Sequence, residues 1–201
     1  MKIAGLVLAA GAGRRMGGPK ALVRDPAGVA WVVRVVRLLV AAECSPILVV
    51  VGAAADQVRA ELADEPVEVV EATNWAEGMG ASLRAGLTTL RSAAGPEAAG
   101  VAGADAVLVV PVDVPGLTIE AVRRVAADDS GLARAVYDGL PGHPVLLAKQ
   151  HWDGVIATAE GDAGARVYLR EHPVVEIECG DVAEGADVDT VDQLPDGHRA
   201  G

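Results

Sequence analysis

The richest chemistry in the chain lies in residues 8–20, Leu8-Ala9-Ala10-Gly11-Ala12-Gly13-Arg14-Arg15-Met16-Gly17-Gly18-Pro19-Lys20. Glycines let a backbone approach a phosphate closely and aim N–H groups at it. Arg14, Arg15 and Lys20 add matching positive charge. The pattern is not a Walker loop, because Pro19 stands where the lysine would follow Gly18 and Ala21 replaces the magnesium-holding Ser or Thr. Nor is it a dinucleotide fingerprint. Met16 takes the third glycine position, and no acidic residue follows about twenty positions on at the end of a second strand.

Three more positions carry candidate chemistry. Asp113, in Val112-Asp113-Val114-Pro115, follows an apolar run, where a carboxylate either binds a cation or caps a turn beside Pro115 and Gly116. His143 lies between Gly142 and Pro144 in an expected loop, which favours substrate contact over a core histidine. Arg166, after Gly161-Asp162-Ala163-Gly164, either holds a substrate phosphate or opens a helix capped by Asp162. Trp75 either borders a pocket or packs in the core, and His151, His172 and His198 suggest no partnership.

Apolar runs at 3–9, 47–51, 67–70 and 106–110 predict buried strands, and the patterns at 29–42, 54–62, 80–90 and 118–127 predict helices between them, the last capped by Thr118. This rhythm implies βαβ units around a mostly parallel sheet, with helices on both faces. It places the glycine-rich segment just past the first strand, where open α/β sheets bind ligands. After about residue 130 the rhythm loosens. Runs at 133–137 and 145–148 predict an antiparallel extension over one edge of the site, and residues 195–201 read as a frayed tail. The expected organisation is a single domain over 1–201, in two halves at 1–130 and 131–194.

Length agrees with one domain, since 201 residues bury a core without disulfides. A hydrophobic fraction of 51% and a mean hydropathy of +0.32 exclude disorder. With aromatics at 2% and no Phe, base-stacking platforms are not expected. The net charge of −11 argues against nucleic-acid binding. That charge is unevenly spread: residues 1–50 carry net +5, the remainder −16, as expected for a local polyanion site in an acidic protein. No apolar run is long enough to span a membrane. Cys44 and Cys179 form neither a metal spacing nor a disulfide framework, which suits the cytoplasm.

The glycine-rich segment, followed by Ala21-Leu22, resembles the signature of the nucleotidyltransferases that activate the molybdenum cofactor, within the superfamily of sugar-phosphate nucleotidyltransferases. Further matches follow in order: Asn74-Trp75-Ala76-Glu77-Gly78-Met79-Gly80-Ala81-Ser82-Leu83, Val112-Asp113-Val114-Pro115, Gly142-His143-Pro144, residues 161–166, and Asp187-Val188-Asp189-Thr190. The resemblance implies an α/β three-layer sandwich with a Rossmann-like, mostly parallel sheet. It also implies transfer of a nucleoside monophosphate from a triphosphate to a phosphate-bearing acceptor. Leu8, Ala9, Ala10, Gly11, Gly13, Arg14, Arg15, Lys20, Gly78 and Ser82 would hold the nucleotide, with Arg15, Lys20 and Asp113 catalytic. His143, Asp162 and Arg166 would face the acceptor. Magnesium would rest on Asp113 and Asp189, although Asp189 also reads as the N-cap of a short helix through Leu194, and Asp187 as a solvated acid. Ala10 favours CTP over GTP, molybdopterin is the implied acceptor, and a molybdoenzyme or maturation factor is the implied partner.

One departure stands out: Val112 occupies the family's glycine position, where a β-branched side chain restricts close approach. That keeps open an NAD(P)H-dependent reductase of the nicotine blue oxidoreductase type, which resembles the same family. A non-catalytic cofactor-binding carrier is the other alternative.

Overall fold

The computed structural model describes residues 1–92 and 103–201. The elements run β1 (Ile3–Leu8), α1 (Trp31–Ala41), β2 (Ile47–Val51), α2 (Ala55–Glu61), β3 (Glu68–Glu71), α3 (Met79–Ser92) and β4 (Ala106–Pro111). They continue with α4 (Ile119–Ala126), β5 (Leu132–Tyr137), β6 (Leu140–Ala148), α5 (Lys149–Thr158), α6 (Arg166–Glu171) and β7 (Val175–Glu178). The seven strands form one sheet of order β3-β2-β1-β4-β6-β5-β7. All adjacent pairs are parallel except those that β6 makes with β4 and β5.

Side-chain alternation along the central strands builds two cores. From β1 and β4, Val7, Leu108 and Val110 face one side and meet α1, α2 and α4 through Val32, Val36, Val58 and Val122. Leu6, Leu8, Val107 and Val109 face the other and meet α3, α5 and α6 through Leu83, Leu87, Trp152 and Leu169. Burial on both faces explains why these strands read as continuous apolar runs rather than alternating ones. The result is the expected three-layer α/β sandwich, and Thr118 caps α4 by accepting from the Ala121 N–H. No described helix is long and apolar enough to cross a membrane.

The second half departs from expectation. Only β6 runs antiparallel, and the segment expected as a loop up to residue 144 is mostly strand. Asp138 and Gly139 both take positive φ (52° and 77°), making a two-residue hairpin turn whose twist matches the strands it joins. Strand pairing therefore resumes at Leu140. The register then slips between Arg134 and Val136, so Gly142-His143-Pro144 bulges out, which is how an internal strand tolerates a proline. Residues 195–201 are not frayed: Arg24 and Arg199 exchange backbone hydrogen bonds of 2.9 Å in both directions.

Candidate active site

A cavity of about 530 Å³ opens at the carboxyl ends of β1 and β4. Hydrogen bonds from Ala9 N to Val50 O and from Ala53 N to Ala10 O fasten the glycine-rich loop to β2 as it leaves β1. Gly13 closes the loop. Its φ is +58°, and a Cβ there would lie 1.9 Å from the Gly18 carbonyl oxygen, so no other residue fits. The loop ends in a short 3-10 turn, Lys20–Leu22, which aims Lys20 back into the cavity.

Four charged side chains meet there. The Lys20 ammonium donates to Asp113 Oδ2 at 2.8 Å and to Asp189 Oδ1 at 2.6 Å, and Arg15 Nη2 lies 2.9 Å from Asp189 Oδ2. Burial alone would lower the Lys20 pKa, but the Asp113 charge and its hydrogen bond, joined by Asp189, hold it above its ordinary value. Asp189 is held below the usual carboxylate range, chiefly by the Lys20 hydrogen bond, against a smaller opposing effect of burial. Lys20 is thus a shared counter-ion for two carboxylates that β4 and the segment beyond β7 bring together.

This geometry shows what several of these side chains touch. The Asp113 carboxylate meets the Lys20 ammonium. Asp189 is not the helix cap. Thr190 caps the 3-10 turn Val191–Gln193 in a reciprocal capping box with Gln193, whose Oε1 also accepts the Asp189 N–H. Freed from that duty, the Asp189 carboxylate turns to Lys20 and Arg15. Asp162 does not cap α6 either, and Arg166 Nη2 donates to the Asp162 backbone carbonyl at 3.1 Å.

Leu8, Ala9, Ala10, Gly11, Gly13, Arg14, Arg15, Lys20, Gly78, Ser82, Asp113, Asp162, Arg166 and Asp189 all line the cavity. His143 is not on the lining. It sits half-buried in the β6 bulge, its carbonyl accepting from Tyr137 Oη at 2.6 Å. Burial pushes its pKa down; the charges of Asp113 and Asp187 oppose this, and Arg166 adds to it. Three sequence readings need amending. Asp187 is exposed as expected yet lines the cavity mouth. Trp75 lines the cavity and also packs on the core, with Gly52 directly beneath its ring. Val112 packs in the core with Val110 and Val114 and also lines the cavity beside Asp113, and it does so without the positive φ that would call for glycine.

Ser82 is 5% exposed, lines the cavity and has no hydrogen-bond partner among the described residues. Arg14 and Arg166 line it without a carboxylate partner among the described residues. In a protein of net charge −11, where other arginines pair with acids, unpaired cations facing a cavity are free to receive anions. The donor set also fits a hard divalent cation: two carboxylates from separate segments meet at one cationic point, and magnesium takes one or two carboxylates plus substrate phosphates.

Comparison with known proteins agrees with this architecture. The family described as MobA-like NTP transferase domain matches residues 5–176. Nicotine blue oxidoreductase of Paenarthrobacter nicotinovorans is 36% identical over 204 residues, covering 96% of this chain and 94% of that protein. Rv0371c from Mycobacterium tuberculosis H37Rv superposes with a TM-score of 0.77 at 26% identity, covering 96% of this chain and 95% of that one. A structure of Rv0371c in complex with manganese gives 0.71 at the same identity, covering 96% of each chain. A nucleotidyl transferase from Methanothermobacter, at 21% identity and a TM-score of 0.76, covering 96% of this chain and 94% of its own, shares the fold.

Proposed function

Because this chain belongs to the MobA-like NTP transferase domain family, a family of nucleotidyltransferases, we propose that its cavity moves CMP from CTP to the phosphate of molybdopterin, releasing pyrophosphate. The observation that carries this reading is the meeting of Arg15, Lys20, Asp113 and Asp189 at the mouth of a glycine-rich loop. An acceptor phosphate oxygen attacks the α-phosphorus, a new P–O bond forms, and the bond to the bridging oxygen breaks with its electron pair leaving on pyrophosphate. No general base is needed, because a phosphate acceptor is already ionised. Catalysis is then positioning and charge neutralisation.

Gly11, Gly13, Arg14 and Arg15 hold the β- and γ-phosphates. Lys20 shifts from the carboxylates toward the α-phosphate, where negative charge develops. Asp113 and Asp189 would hold magnesium, which when bound supplies Lewis-acid neutralisation of the triphosphate. That Rv0371c has been solved in complex with manganese supports a divalent ion here. The unpartnered Ser82 hydroxyl and Gly78 receive the nucleoside. Arg166 takes the acceptor phosphate beside Asp162, with His143 behind them.

Pyrophosphate release, measured with CTP or GTP and the metallated cofactor, tests this. CTP- and magnesium-dependent release is expected, and a clear GTP preference would overturn the cytidylyl assignment. The 36% identity to nicotine blue oxidoreductase favours a second reading, NAD(P)H-dependent reduction. Stabilisation in a thermal melt by NADPH without metal, and none by CTP with magnesium, would select it.

A further inference from the structure

Beneath the charged quartet lies a third apolar cluster, separate from the two cores. It is made of Met16, Val23, Trp31 and Val188, with Leu194 packed against it. Its members flank Arg15, Lys20 and Asp189, and one of them is hydrogen-bonded to the backbone of Asp113. Met16 follows Arg15, and Val23 follows the Lys20 turn and accepts no solvent. Val188 precedes Asp189, and its N–H donates to the Asp113 carbonyl at 2.8 Å. Trp31 opens α1 and donates its backbone N–H to Val23 O at 2.8 Å. Its indole Nε1 is buried without a partner, so its place is set by packing alone.

Residues 195–201 close this cluster from outside. The His198 ring meets the Trp31 ring edge-on, with centroids 5.8 Å apart. Arg199 pairs with Arg24 through two backbone hydrogen bonds, and Gly201 lies against Leu22 and Gly18 of the glycine-rich loop. The structure therefore joins the loop to the Asp187–Asp189 segment through one small contact set, while Ala21 and Leu22 tie the same loop to the first core.

We propose that this cluster, clamped by residues 195–201, sets the distance between the phosphate-binding loop and the Asp113 and Asp189 carboxylates, with Trp31 and His198 as positioning residues. The proposal rests on the nucleotidyl-transfer reading only for its kinetic consequence. Its structural consequence is independent of substrate. Cutting the strap loosens residues 13–20 and 186–189 together, while Ala21 and Leu22 stay anchored in the first core and the sheet is untouched, because no member of this cluster belongs to either core.

The test uses the full chain with His198→Ala, His198→Phe and Leu194→Ala. Hydrogen–deuterium exchange without ligand should speed up by about 3- to 10-fold in residues 13–20 and 186–189 for His198→Ala, the loss expected for one aromatic contact. Leu194→Ala should reproduce it, and His198→Phe should restore the wild-type rate. In the kinetic arm, KM for the triphosphate should rise by a similar factor, with the acceptor KM unchanged. Exchange that stays at the wild-type rate in both segments, or rises equally across the sheet, overturns the proposal. If the wild-type protein releases no pyrophosphate, the transferase reading falls, and the exchange result still decides the clamp.

Discussion

At the residue scale, Lys20 is the hinge of the site, because among the described residues it is the one group that touches both carboxylates. Asp113→Asn keeps an oxygen acceptor for Lys20 and leaves Asp189 as its counter-ion, so the ligand-free melt should move by no more than about 1 kcal/mol. Pyrophosphate release should fall by on the order of 10²-fold or more, since the lost charge acts on the transition state. An active but destabilised variant would mean that Asp113 has a structural duty instead. Lys20→Met acts the other way: it leaves two acids facing each other on largely buried side chains. The ligand-free protein should lose about 1–2 kcal/mol, below the full cost of breaking a buried pair because both acids keep some solvent. Added magnesium should then raise the melting temperature of Lys20→Met more than that of the wild type, because a divalent ion replaces the missing ammonium. Most of these residues were legible from type and spacing. The role of Asp189 was not, although the signal existed: Thr190-x-x-Gln193 is a capping-box pattern, and reading it would have released Asp189 from the cap.

At the element scale, the strands and helices of the first half follow from buried apolar runs and punctuating glycines, so they could be read with ends off by a residue or two. The second half could not, for a physical reason. The hairpin at Asp138-Gly139 is set by two positive-φ residues, and the bulge after it absorbs Pro144. A stretch with glycine and two prolines looks like a loop until its pairing partner is known. Helix α5 begins directly at the end of β6, and α6 is only six residues long, so neither offers a clear periodic signal. Contacts between elements explain why two glycines of the site should respond differently. Gly78 has φ +110°, and a Cβ there would lie 2.6 Å from the Gly161 carbonyl group. Gly78→Ala should cost about 1–3 kcal/mol from the dihedral alone. It should also push the segment carrying Asp162 and Arg166 outward, which raises the acceptor KM. Gly11 has open space around it and an unrestricted φ. Gly11→Ala should leave the melt unchanged and weaken triphosphate binding, because its new methyl meets only the ligand. Thermal melts paired with KM for each substrate check both, and a Gly11→Ala protein that binds the triphosphate normally would place the phosphates elsewhere.

For the whole molecule, the governing fact is a net charge of −11 combined with two half-buried histidines, His143 and His151, whose pKa values burial lowers. Burial lowers the pKa of His143, against the pull of Asp113 and Asp187 and with help from Arg166. Burial also lowers that of His151, which donates to or accepts from Tyr168 Oη at 2.9 Å and faces the charge of His172. Sequence reading had treated His151 and His172 as unconnected, but Tyr168 joins them: its ring stacks on His172 at 3.7 Å. Each of the two lowered histidines binds a proton more readily in the unfolded chain, whose ordinary pKa is about 6.5. The unfolded state therefore takes up protons first, and stability should fall as pH drops below about 6.5. The depressed Asp189, Asp181 and Glu178 carboxylates work lower down; their contribution is present above the ordinary carboxylate range and disappears only as pH falls through about 4 and below. Against both runs the relief of self-repulsion, since acid lowers the negative charge. That opposing effect is screened at high salt, where the Debye length shrinks to about 3 Å at 1 M. Melts from pH 8 to 3 in high salt should therefore show a plateau above about 7, a first decline between about 6.5 and 5, and a second below about 4. His143→Gln should flatten the first decline and leave the second intact. If the first decline keeps its full slope in His143→Gln and in His151→Gln alike, these two histidines are not what makes this fold sensitive to mild acid.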